Sequence, residues 1–291
     1  VNEPLPYGKP KFVDEIPKGL FIIKFKAIAK LKEGVFPFVS MKGNFRYCQT
    51  DLLTETDGLE SFTMTSVDYY AFLEYYNVEI YKIDWILSFK SRKGIFKEFI
   101  EINYEIKNNS VGAAKAVAKL KMNSFTGRMA MNPERKNKVP SIEDDILKFK
   151  EGDLDVVDSI YPAFTSFTTA YGRRYVHNLA CSLGDNFIYS DTDSVHSFQQ
   201  LPSEKIDNIA LGKFKEENVC KCGLYLRPKT YMYTNDKGQT KVKCAGLPIK
   251  GKQLITYDNF KPGLVLEGVK NQAKQAKGGI ILVPGPFKIR V

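Results

Sequence analysis

Phe187-Ile188-Tyr189-Ser190-Asp191-Thr192-Asp193-Ser194-Val195-His196 reads as two short strands folded back on each other. Phe187, Ile188 and Tyr189 supply β-favouring residues on one arm, and Val195 and Phe198 on the other. The small polar run Ser190 to Ser194 makes the bend and places Asp191 and Asp193 at its tip. Two like charges held this close repel, and a bound cation relieves the repulsion. Carboxylate oxygens suit hard ions such as Mg²⁺, which keep several waters and complete their shell with substrate phosphates. A pair of such ions can clamp the attacking and leaving oxygens of a phosphoryl transfer. Taken alone, Asp-x-Asp is ordinary turn chemistry. The rest of the chain decides between the two readings.

Working outward, the 291 residues carry 43 Lys and Arg against 33 Asp and Glu, a net charge of +10. That balance fits a nucleic-acid partner. No stretch approaches the apolar run of a membrane span, and no secretion leader is visible. The five cysteines are scattered, and Cys220-x-Cys222 has no matching second pair. Free thiols in a reducing cytoplasm fit better than a zinc site. Residues 1–19 are rich in Pro and Gly and read as loop. Leu20 to Leu31 alternates as a strand. Val35 to Val39 is β-rich with Pro37 at its centre, an edge strand or bulge. Ser66 caps a helix over about 67–76, and Val78 to Phe89 returns to strand.

Residues 94–127 are the most helical, with a break at Asn108-Asn109-Ser110. On the second helix Ala114, Val117, Ala118 and Met122 point to a core. Lys115, Lys119 and Asn123, at i, i+4 and i+8, run nearly in line on the other face. Such lysines are usually a solvated face, but two in line also make a phosphate cradle, with Lys107 at the end of the preceding helix. Residues 129–162 read as irregular. A helix over Phe167 to Cys181 leads into the acidic hairpin. A further hairpin has Tyr225 to Thr234 as its first arm, holding Arg227, Lys229 and Tyr231, then a turn at Asn235-Asp236-Lys237-Gly238.

With those residues in view, the chain resembles the polymerising part of the protein-primed family B DNA polymerases of small tailed bacteriophages. Tyr189-Ser190-Asp191-Thr192-Asp193-Ser194 is similar to the family's Y-x-D-T-D-S motif. Lys119-Leu120-Lys121-Met122-Asn123-Ser124-Phe125-Thr126-Gly127 is similar to K-x-x-x-N-S-x-Y-G. Lys229-Thr230-Tyr231 matches K-x-Y, and Leu5-Pro6-Tyr7-Gly8-Lys9-Pro10 resembles the segment following the first catalytic motif. One motif would be weak, whereas four in order are specific.

The resemblance implies an α+β fold: a palm with an antiparallel sheet, helical fingers, a small α/β insertion and a thumb. It assigns residues 1–94 to an insertion contacting a terminal protein or upstream duplex, and 95–128 to fingers. Residues 129–162 become a second insertion, a β-hairpin loop that encircles DNA and supports processivity; 163–246 are palm and 247–291 thumb. It makes Asp191 and Asp193 ligands of two Mg²⁺ ions, with Mn²⁺ as an alternative. Lys107, Lys115, Lys119 and Asn123 would bind the incoming deoxynucleoside triphosphate. Ser124 and Gly127 would lie near the template, and Arg227, Lys229 and Tyr231 at the primer. The implied setting is the cytoplasm of an infected bacterium.

Two departures stand out. Thr126 occupies the usual tyrosine position of the second motif. The family's D-x-x-S-L-Y-P aspartate has no counterpart, with Val1-Asn2 as a remnant, so an upstream segment or separate chain is expected to supply it. Two other readings compete. A non-catalytic, polymerase-derived DNA-binding or scaffold protein suits the charge and the missing aspartate, but gives the acidic tip no use. A single-strand-binding module suits the aromatic content, although most Phe and Tyr sit at core periodicities.

Overall fold

The computed structural model describes residues 3–41, 44, 52–156 and 160–290, so Val1-Asn2 and Cys48 lie outside the described residues. The fold is α+β, in two units: residues 1–134 with 156–199, and residues 135–155 with 200–291.

The first unit is built on a four-stranded antiparallel sheet in the order β1 (Leu5–Val13), β4 (Tyr76–Arg92), β2 (Leu20–Leu31), β3 (Glu60–Thr65). Strict alternation in β2 decides its faces. Phe21, Ile23, Phe25, Ala27 and Ala29 are buried on one side, against Tyr69, Phe72 and Tyr75 of α1 (Ser66–Tyr75). Leu20 and Ile22 turn to the other side and meet Phe164, Phe167 and Ala170 of α4 (Pro162–Leu183). One strand thus organises two cores. The cap of α1 is Thr65, one residue before the expected Ser66; its hydroxyl accepts from the Asp68 N–H at 3.2 Å. Thr65→Ala removes a cap worth about 1 kcal/mol.

Residues 1–19, expected as loop, contain β1. An edge position tolerates its prolines, and the register slips between Tyr7 and Lys11, around Pro10. Val35–Val39, expected as an edge strand or bulge, forms no strand. It is tied down by backbone N–H groups of Phe38 and Val39 donating to the Tyr76 hydroxyl at 2.9 and 3.3 Å.

Helix α4 is held to α1 by Arg173, which forks onto the Asp68 carboxylate at 3.0–3.1 Å. Beside it His177, 9% exposed, packs on Tyr75 and Phe38 and donates from Nε2 to the Phe36 carbonyl at 2.8 Å. That bond fixes the neutral tautomer, and burial lowers its pKa below the ordinary 6.5, outweighing the opposing pull of the Phe36 carbonyl and Glu74. The folded state therefore binds fewer protons than the unfolded one below about pH 6.5, so stability is lost as pH falls through that value. Urea melts are expected to show a falling midpoint between pH 7.5 and 5.5, flattened in His177→Phe. An unchanged slope in that variant would assign the pH dependence to other groups.

Helices α2 (Lys97–Asn109) and α3 (Gly112–Met129) form an antiparallel pair, and α3 also packs on α4. The expected core residues of α3 are corrected: Ala118 alone is buried, while Val117 is 50% exposed. A two-helix arm has little to bury against. Its anchor is Phe125, whose ring meets Phe96, Phe99 and Phe164 at 4.7–5.4 Å between centroids.

The second unit has a three-stranded sheet in the order β11 (Thr240–Cys244), β10 (Thr230–Asn235), β9 (Cys220–Arg227). Met232 lies at the heart of its core with Leu247, Phe260 and Ile289. Residues 129–162, irregular by local pattern but a β-hairpin loop by the resemblance, contain a hairpin, β5 (Glu134–Glu143) and β6 (Ile146–Val156). Asp144 and Asp145, both at positive φ, make its two-residue turn. A second hairpin, β12 (Val265–Ala276) and β13 (Gly279–Lys288), meets it: Gln275 donates to the Leu147 carbonyl at 2.7 Å, and the Gly278 N–H donates to the Asp145 carbonyl at 2.7 Å.

Candidate active site

Strands β7 (Phe187–Asp191) and β8 (Ser194–Ser197) form the expected acidic hairpin, with Asp191 opposite Ser194. The bend is tighter than Ser190 to Ser194; only Thr192 and Asp193 lie outside the strands. Thr192 adopts φ +59°, where a β-branched residue is an outlier. The Asp193 N–H donates to the Asp191 carbonyl at 2.7 Å, and the Thr192 hydroxyl donates to Asp191 Oδ1 at 3.1 Å. Strain held by a local hydrogen-bond set is characteristic of functional turns. The Asp193 side chain is exposed and has no ion-pair partner among the described residues.

The donor set at this turn is carboxylate oxygen at an exposed tip, which fits a hard divalent ion. Among the described residues no group of three or more His, Cys, Asp and Glu side chains able to hold an ion comes together. The hairpin by itself supplies part of a coordination shell.

Helix α4 packs against both strands of this hairpin and against α3, so one rigid element carries the acidic tip and the lysine-bearing helix. Lys115, Lys119 and Asn123 are all exposed along α3. Lys107 sits in the last turn of α2 with its ammonium 4.8 Å from the Tyr104 ring centre. Ser124 and Gly127 line a cavity of about 580 Å³ together with Phe99, Lys121, Arg128 and Met131. Lys121 and Arg128 were not singled out in the sequence; their spacing from Ser124 by three and four residues was the available signal. Thr126 is half-buried, and its carbonyl accepts from the Thr165 hydroxyl of α4 at 2.7 Å.

The remaining candidates lie in the second unit. The expected single arm Tyr225 to Thr234 is two strands, β9 and β10, reversed at Pro228-Lys229. Lys229 takes φ +59° at that turn, again a strained non-glycine position. The rings of Tyr225, Tyr231 and Tyr233 stack in sequence, at 5.2 and 6.3 Å between centroids and 17–18° between planes. Burial, with the neighbouring Cys220 and Tyr231, pushes the Tyr225 phenol up to about 12. Arg227 Nε is buried without a hydrogen-bond partner among the described residues. A buried, unpaired guanidinium nitrogen is costly unless an acceptor arrives.

Residues 1–210 match the family profile described as DNA polymerase type B, organellar and viral. The chain belongs to the type B DNA polymerases. Among relatives in this family, the DNA polymerase of Bacillus phage Nf is 33% identical over 320 residues, covering 99% of this chain and 55% of the relative. The DNA polymerase of Streptococcus phage Cp-1 is 30% identical over 296 residues, covering 97% and 51%. A solved structure of Phi29 DNA polymerase complexed with primer-template DNA and incoming nucleotide substrates superposes with a TM-score of 0.91 at 30% identity, covering 99% of this chain and 55% of that one. The chain spans about half the length of these type B relatives. No helix among the described residues is long and apolar enough to cross a membrane.

Proposed function

We propose that this chain carries out template-directed DNA synthesis as the polymerising part of a protein-primed type B DNA polymerase, by two-metal nucleotidyl transfer. The observation that carries the reading is the strained Asp191-Thr192-Asp193 turn, braced by the same helix that braces Lys115 and Lys119. Phosphoryl transfer asks little covalent chemistry of a protein; positioning and charge neutralisation supply the catalysis. Asp191 and Asp193 would hold divalent ions, Mg²⁺ by their chemistry, which supply neutralisation of the developing charge on the phosphoryl oxygens.

Each remaining role belongs to the chain's own residues. Lys119, with Lys115 and Lys107, binds the triphosphate and steadies the departing pyrophosphate by charge-assisted hydrogen bonds. Asn123 lines the nucleotide site. Ser124 and Gly127 contact the template beside the cavity on α3. Lys229 and Tyr231 hold the primer terminus, and Arg227 Nε finds its missing acceptor in the sugar-phosphate backbone. The β5–β6 and β12–β13 hairpins, joined through Gly278 and Gln275, serve as the processivity loop and thumb. Residues 1–94 serve contact with a terminal protein or upstream duplex. The setting is the cytoplasm of a phage-infected bacterium.

Two carboxylates on one hairpin cannot easily surround two ions, so a further aspartate is expected from another segment. The test is a primed-template extension assay with Mg²⁺. The 291-residue chain alone is expected to give little product, and addition of a polypeptide bearing the family's D-x-x-S-L-Y-P segment is expected to restore synthesis. Strong extension by the chain alone would overturn the need for a further ligand. Salt-sensitive DNA binding with no extension in either mixture would favour a binding or scaffold protein.

A further inference from the structure

Helix α4 covers only one end of its side of the first unit's sheet, over Leu20, Ile22, Leu87 and Phe89. Beyond that end no helix among the described residues packs on the same face. Register places Trp85 beside Lys24, Lys82 beside Lys26, and Phe12 beside Leu87, so all of them share this face. On the far side of β2, Thr63 and Ser61 stand opposite Lys24 and Lys26. The Phe12 ring is 74% exposed and meets Trp85 edge-on at 6.4 Å. An aromatic left this open, braced by a second ring, is not explained by the core.

The charges on the face have one main sign. Lys24 and Lys26 have no ion-pair partner among the described residues and are two strand positions apart, about 7 Å. Lys82 is paired with Asp84 at 3.2 Å, and Asp84 sits in a register break of β4. Glu79 lies farther along, opposite Ile28. A partner that was simply apolar would have to strip water from Lys24 and Lys26 without return. A partner that was simply acidic would leave the Phe12 ring unused.

We propose that this sheet face, with Phe12 and Lys26 exposed and Lys24 and Trp85 half-buried, binds a segment of single-stranded nucleic acid, with bases stacked on Phe12 and Trp85 and phosphates held by Lys24 and Lys26. Stacking platforms interleaved with cations are the shared design of single-strand binders, because every base offers a π face and every linkage a phosphate. A duplex keeps its bases inside and offers the rings nothing. The face lies within residues 1–94 but uses none of the residues assigned to nucleotide transfer, and stands or falls independently of them.

Trp85 is the only tryptophan in the chain, so its emission reports on this face directly. Titrating an eight-residue oligodeoxythymidylate into the 291-residue chain at low salt is expected to quench Trp85 saturably. Phe12→Ala should raise the dissociation constant about tenfold. Lys24→Glu with Lys26→Glu should raise it further and reduce the salt slope by roughly 1.4. Asp193→Asn should abolish synthesis in the supplemented assay and leave the quenching unchanged, which separates this site from the catalytic reading. Unaltered emission while anisotropy shows the oligonucleotide bound would place the strand elsewhere and end the proposal. Equal quenching by a duplex, or by polyglutamate, would also end it, assigning the face to a general anion surface or to an acidic protein.

Discussion

Asp193→Asn is expected to lower the rate of nucleotide incorporation by about 10³-fold or more, measured with the aspartate-bearing polypeptide supplied. The estimate follows from the charge: an amide of the same shape cannot neutralise a divalent ion, and each tenfold in rate is about 1.4 kcal/mol of lost transition-state stabilisation. The loss should fall on kcat, since the ions act on the charge that develops during transfer. Stability should hardly move, because Asp193 is an exposed turn residue with no ion pair among the described residues. Thr192→Gly is the companion variant. It relieves the φ +59° strain and removes the hydroxyl that donates to Asp191. The chain should become no less stable, yet incorporate more slowly. A rate within tenfold of the parent in Asp193→Asn would remove this carboxylate from the catalytic centre.

Lys119→Ala is the second large effect, and its signature differs. A lysine on the triphosphate is felt in the bound substrate as well as in the transition state, so KM for the nucleotide should rise along with a fall in kcat/KM of about 100-fold. A hydrogen bond between charged partners is worth roughly 1.5–3 kcal/mol, which sets that scale. Lys115→Ala should be milder, and Lys119→Arg should recover part of the loss by keeping the charge. The variant should fold normally, since α3 is anchored through Ala118 and Phe125 and presents Lys119 to solvent. An unchanged nucleotide KM, read from steady-state incorporation, would return Lys119 to the role of a solvated surface lysine.

The acidic hairpin was legible because a β-rich arm, a polar bend and a second β arm leave a local pattern, and the registered strands reproduce it. Strand β2 was legible because alternation over twelve residues has one explanation. The lysine face of α3 followed from helical spacing alone. Its core did not, because whether Val117 is buried depends on what packs against the arm, and among the described residues it stays half exposed. Composition concealed β1, since Pro and Gly argue against strand everywhere except at an edge. Only the pairing with β4 supplies that edge. The reversal at Pro228-Lys229 was hidden for a related reason: a lysine at positive φ leaves no glycine to announce the turn.

By itself the sequence determined the chemistry on offer: two carboxylates at one bend, cations in line on one helix, a basic chain, and four motifs in the order of one family. Those are properties of residue type and short-range spacing, which the backbone periods of helix and strand translate directly into shared faces. Tertiary structure alone decided that α4 braces both the acidic turn and α3, that α4 leaves Phe12 exposed beside a half-buried Trp85 at one end of a sheet, and that two distant hairpins meet at Gly278 and Asp145. Contacts between segments many residues apart depend on the total packing of cores and edges, and no window of local sequence contains that information.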